Sequence, residues 1–236
     1  MRILLTGGSG RLGTELRKLR AFDYVPTRQE MDITSFLSVH RYLTPIKDKV
    51  DLIVHAAAYT NTSKADQERE ACWQTNVEGT RNLIAHRIPM VYISTEYVFD
   101  GKVGLYSEQD FPNPINYYAL TKLIGEQQTR PWGTILRCIF KPSPWPFDVA
   151  YDDQWTSGDY VDAIAKEINL AIDWFADLPK ILHIGTGRKT MLDLARQTRP
   201  EVRPNSIAHA PIPVPRDCSL DLSAWTQLKI RKGYAT

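Results

Sequence analysis

Tyr118 and Lys122 stand four residues apart in YYALTKLIGE, a spacing that puts both side chains on one face of a helix. A phenol hydroxyl can protonate the oxyanion that forms when hydride reaches a carbonyl carbon. Its ordinary pKa of about 10 makes that transfer poor at neutral pH, and a nearby ammonium favours the tyrosinate left behind. Thr95 follows the apolar run MVYIS, in STEYVFDG, where its hydroxyl can donate a hydrogen bond to the same oxygen. Tyr117, one residue away, faces elsewhere on the helix and has no such partner. Tyr-x-x-x-Lys pairs arise often by chance, so this one gains meaning from what accompanies it.

Its companion is the amino-terminal stretch MRILLTGGSGRLGT. An apolar run fit for a buried strand passes into a glycine loop, and Leu12, Leu16 and Leu19 then recur at helical spacing. Strand, glycine loop and helix together are the context in which glycines at intervals of three point to a dinucleotide. Gly7 permits the tight turn, Gly10 lets backbone approach a pyrophosphate, and Gly13 lets helix pack on strand. The helix N-terminus then offers free N–H groups and partial positive charge to an anion. The second strand ends in Pro26-Thr27-Arg28-Gln29, with no acid at its immediate end. Arg28 is therefore the candidate for a 2′-phosphate, so NADPH is favoured, with NADH the other cofactor such a site takes. Asp32 is placed to face the adenine. Ala56, Ala57 and Ala58, after a strand DLIVH, leave room for a flat ligand. Arg216, in the PRD stretch, is a candidate for a diphosphate because its planar fork suits phosphate.

The elements that must carry these residues alternate. Strands are expected at Arg2–Leu5, Tyr24–Pro26, Asp51–His55, Met90–Ser94, Thr134–Ile139 and Ile181–Ile184. Helices are expected after the glycine loop, from Asp32-Ile33-Thr34 with Asp32 or Thr34 as N-cap, and over Ser63–His86, Ile115–Arg130 and Tyr160–Phe175. This order predicts an α/β protein with a Rossmann-like, doubly wound parallel sheet, helices on both faces, and the ligand across the strands' carboxyl ends. Proline-rich stretches 141–159 and 199–217 break the pattern and are expected as loops capping a pocket. With 236 residues the chain reads as a single domain, with a small substrate-side lobe built mainly from 138–160 and 185–236. A net charge of +2 predicts neither nucleic acid nor membrane as partner. Three scattered cysteines fit a reducing cytoplasm, and no apolar run approaches a transmembrane span or a signal peptide. The five histidines show no metal-ligand spacing, so no metal is expected. His55 reads as a packed or hydrogen-bonded histidine.

TGGSGRLG, HAAAYTN, TNVEGT, STEYVFDG, YYALTKLIGE and PRDCSLDLS occur in the order found in extended short-chain dehydrogenases/reductases. The chain resembles, within that family, the reductases of dTDP-4-dehydrorhamnose. The resemblance implies NAD(P)H-dependent reduction of a nucleotide-linked 4-keto sugar, with Thr95, Tyr118 and Lys122 as the catalytic set. It implies sugar contacts at Glu96, Tyr97 and Phe140, and cofactor contacts at Gly7, Gly10, Arg11, Leu12, Gly13, Asp32, Ile33 and Ala56 to Ala58. It also implies a homodimer through the helices carrying Trp73 and Leu123. Glu96 stands where the family has Asp, Ala119 where it has Gly, and Phe140 where it has Trp. The stretch between Arg137 and Asp153-Gln154 is shortened. An epimerase or dehydratase that recycles its hydride, or a non-catalytic regulatory protein on the same fold, are the alternatives.

Overall fold

A computed structural model describes residues 1–234. Its centre is a five-stranded sheet, all parallel, in the order β1 (Ile3–Thr6), β2 (Leu52–His55), β3 (Met90–Thr95), β4 (Gly133–Cys138) and β9 (Ile181–His183). The stretch expected as a second strand forms only a bridge, Tyr24 to Leu4, on the outer side of β1. Pro26 has no N–H to extend that ladder. The chain thus leaves β1 for one edge and returns on its other side as β2, which makes the carboxyl end of β1 the switch point where a crevice opens.

Successive strand side chains point to opposite faces, and both faces are covered. Ile3, Leu5, Leu52, Val54, Val91 and Ile93 pack with α1 (Arg11–Leu19), α6 (Val161–Asp173) and α8 (Ser223–Arg231). Leu4, Ile53 and Met90 pack on the other side with α2 (Phe36–Leu43) and Leu83 of α4 (Gly79–Ile84).

Three helix boundaries differ from expectation. α2 starts at Phe36 because Ser35, not Asp32 or Thr34, accepts from the Ser38 N–H; Asp32 instead ties off a turn by accepting from the Thr34 N–H and hydroxyl. The helix expected from Ser63 starts six residues later. Residues 62–67 are turns, α3 spans Arg69–Trp73, and a π-helical segment, Gln74–Glu78, joins it to α4. α5 (Tyr117–Thr129) starts at its cap, Asn116, whose side chain accepts from the Ala119 N–H at 2.9 Å.

The proline-rich stretches are not wholly irregular. Short strands pair as β5 (Phe140–Lys141) with β8 (Asp159–Tyr160), β6 (Val149–Tyr151) with β11 (Arg203–Asn205), and β7 (Trp155–Thr156) with β10 (Lys189–Thr190). With α7 (Met191–Arg196) they enclose a separate small core of Trp145, Ala150, Tyr160, Leu194 and Val202. α8 does not join them. Its Trp225, 1% exposed, lies in the core under the main sheet.

Candidate active site

The carboxyl ends of β1 to β4 open into one cavity of about 1150 Å³. The glycine loop forms its floor. Gly7 adopts φ +71°, and a Cβ there would come within 2.6 Å of the Ala57 nitrogen. At Gly13 a Cβ would collide with the Gly7 carbonyl, so this glycine lets the helix start close against the turn. Gly10 is different. A Cβ there would meet only the Gly7 carbonyl oxygen, at 3.2 Å, and would otherwise project into open space. α1 has no side chain capping its N-terminus and no acid in its first turn. Its first N–H groups therefore face the cavity with partial positive charge, the arrangement that suits a diphosphate. Gly7, Gly10, Arg11, Leu12, Gly13, Arg28, Asp32, Ile33 and Ala56 to Ala58 all line it. Arg28 is 82% exposed and touches Asp32 only loosely, at 3.5 Å, so its guanidinium is available to an anion. Glu30, the nearby acid, is folded back to accept from the Thr27 N–H and hydroxyl.

Thr95, Tyr118 and Lys122 line the opposite end of the same cavity, with Tyr97 and Phe140. Thr95 ends β3, and Tyr118 and Lys122 share the inner face of α5. Burial pushes the Tyr118 hydroxyl well above its ordinary pKa, with Cys138 and Cys72 acting the same way and Thr95 against them. The Lys122 ammonium rests 4.1 Å above the Tyr92 ring rather than on Tyr118. Burial lowers its pKa to about 8, with Glu126 opposing. Tyr117 points outward, under the guanidinium of Arg69.

Two expected substrate contacts lie elsewhere. Glu96 is fully buried behind the cavity wall, its carboxyl accepting from the hydroxyl of Thr156 in β7 at 2.7 Å. Burial raises its pKa to about 8. Arg216 does not line the cavity, nor does any residue of 199–217, because that stretch packs into the small lobe and along β7. Of the first proline-rich stretch, Lys141, Pro142, Pro146 and Phe147 reach the cavity.

A buried relay braces the strand ends. The Thr80 hydroxyl donates to the Asn76 carbonyl at 2.7 Å, which leaves its oxygen to accept from His55 Nε2 at 3.1 Å. His55 Nδ1 then accepts from the Thr6 hydroxyl at 2.7 Å, and that oxygen accepts from the Ala57 N–H. The chain of donors requires neutral His55, and burial lowers its pKa to about 3. Asn76, in the π-helical segment, accepts from the Tyr59 N–H at 2.8 Å and donates to Thr121 of α5 at 3.0 Å. It thereby joins the loop after β2 to the helix of Tyr118. Lys141 was not singled out in the sequence. Its only signal there is a cation immediately past a strand that ends in the pocket.

A parallel sheet with a glycine-loop crossover, a bare helix N-terminus and a hydroxyl pair at the far end of one crevice define a Rossmann-type dinucleotide-binding protein. The chain belongs to the RmlD substrate binding domain family, whose model matches residues 1–139. It is 32% identical to a dTDP-4-dehydrorhamnose reductase of Aggregatibacter actinomycetemcomitans, over 70% of this chain and 55% of that enzyme. It is 31% identical to a dTDP-4-keto-6-deoxy-D-glucose reductase of Streptomyces niveus, over 84% of this chain and 77% of that one. Among solved structures it resembles a dTDP-4-dehydrorhamnose reductase from Bacillus anthracis in complex with NADP. The TM-score is 0.83 at 25% identity, covering 100% of this chain and 94% of that one. The chain thus spans little more than half the length of the first of these relatives.

Proposed function

We propose that this protein is an NADPH-dependent reductase of a nucleotide-linked 4-keto sugar, with dTDP-4-dehydrorhamnose the foremost candidate substrate. The observation that carries the reading is that Tyr118, Thr95 and Lys122 border the same cavity as the glycine loop and Arg28. The cavity fits a dinucleotide, since Gly10 leaves the approach to the α1 N–H groups clear. A nicotinamide bound there supplies hydride. The α1 N-terminus and Arg11 hold the diphosphate, and Arg28 holds the 2′-phosphate. Thr95 donates to the keto oxygen and Tyr118 gives it a proton. An acid with a raised pKa keeps its proton at neutral pH until an oxyanion with a stronger pull forms beside it. Lys122 orients the ribose and shares charge with the tyrosinate. Glu96 acts from behind the wall, fixing Thr156 rather than meeting sugar. A homodimer through the helices bearing Trp73 and Leu123, working in the cytoplasm, belongs to the same proposal.

The test is NADPH oxidation against a panel of nucleotide 4-keto sugars. Tyr118→Phe removes one hydroxyl and should lower turnover about 10²–10⁴-fold with NADPH affinity unchanged, whereas Tyr117→Phe should be near neutral. Full turnover by Tyr118→Phe, with chemistry limiting, would show that the proton comes from elsewhere. A protein that binds NADPH and oxidises none with any such sugar would favour a regulatory role.

A further inference from the structure

The cavity wall carries four cationic side chains, Arg11, Arg28, Lys122 and Lys141, and one carboxylate, Asp32. Asp32 is engaged by Thr34 and Arg28. Lys122 rests on Tyr92. Lys141 has no such contact: among the described residues its ammonium makes no hydrogen bond and no ion pair. It sits on β5, which β8 holds in place through the Phe140–Asp159 and Lys141–Tyr160 register. Burial lowers the pKa of its ammonium, with Glu96 opposing and Arg11 acting in the same direction as burial. Arg11, the first residue of α1, and Lys141 thus line one cavity with the bare N-terminus of that helix.

We propose that Lys141 is a ligand for the diphosphate of the dinucleotide, reaching it from β5. The proposal rests on the dinucleotide reading above. Unlike the backbone N–H groups, which offer partial charge to any anion at the helix end, a lysine on β5 adds a full charge from a second element.

The experiment is titration of the purified protein with NADPH, 2′-AMP and thymidine diphosphate, using calorimetry on the unmodified protein, Lys141→Met and Lys141→Arg. Thermal melting of each variant establishes that it is folded. One charge-assisted hydrogen bond lost should raise the NADPH Kd about tenfold or more in Lys141→Met. The salt dependence of NADPH binding should become shallower. Lys141→Arg should keep most of the affinity, and 2′-AMP, which lacks the diphosphate, should bind equally to all three. Unchanged NADPH affinity in Lys141→Met overturns the proposal. So does an equal loss for 2′-AMP, or a loss confined to thymidine diphosphate, which would assign the lysine to the substrate's phosphates. Absence of NADPH binding by the unmodified protein would instead remove the dinucleotide reading itself.

Discussion

The Glu96 carboxyl lies in the protein interior and not in the cavity. It has a single close donor, the Thr156 hydroxyl, and a distant one, the Ser157 N–H at 3.4 Å. Desolvation, larger than either hydrogen bond, moves its pKa from 4.5 to about 8. Between those values the folded protein holds a proton that the unfolded chain has released. The stability this group contributes is therefore complete below about pH 4.5 and lost as pH rises through about 8. Glu96→Gln mimics the protonated acid and should flatten that dependence. Melting midpoints across this range should fall for the unmodified protein and hold steady for the variant, with the variant ahead at about pH 8. Parallel curves would mean that Glu96 is ionised in the fold throughout.

At the scale of the element, α5 decides how well the site is set, because Tyr118 lies in its first turn. Asn116 caps that turn through the Ala119 N–H. Asn116→Ala should lower stability by about 0.5–2 kcal/mol, measurable by denaturant unfolding, and should reduce turnover more than NADPH affinity. A loss of affinity as large as the loss of turnover would place the damage in the cofactor end instead. α5 was legible in the sequence to within two residues, since the Tyr118–Lys122 spacing is local. The same holds for β1, whose apolar run and glycine loop are contiguous. What could not be read there depends on distant partners. The strand expected at Tyr24–Pro26 survives as one bridge because no neighbour pairs its outer edge. The helix expected from Ser63 is replaced at its start by turns, and its π-helical segment carries Asn76 to both Tyr59 and Thr121. Glu96 and Arg216 have the right types for sugar and phosphate, but β7 takes one side chain out of the cavity and the packing of 199–217 keeps the other away.

For the whole molecule, the family match over residues 1–139 does not describe a self-sufficient core. α1, which begins at the glycine loop, packs on α6, and the same cluster takes in Trp225 of α8. Trp225 is held there by its indole N–H donating to Glu167 of α6 at 2.5 Å and by the tilted ring of Trp174. The last helix therefore cannot detach without exposing the layer that seats the first one. In terms of amide exchange, the inner turns of α1 and α8 form one cooperative unit and should open together, with equal free energies of exchange and equal sensitivity to denaturant. A ligand bound only at the glycine loop should then slow deuterium uptake in α8, at the far end of the chain, by the same factor as in α1. If α8 exchanges freely while α1 is protected, the carboxyl-terminal helix is a separate clasp and the two ends of the sequence are energetically independent.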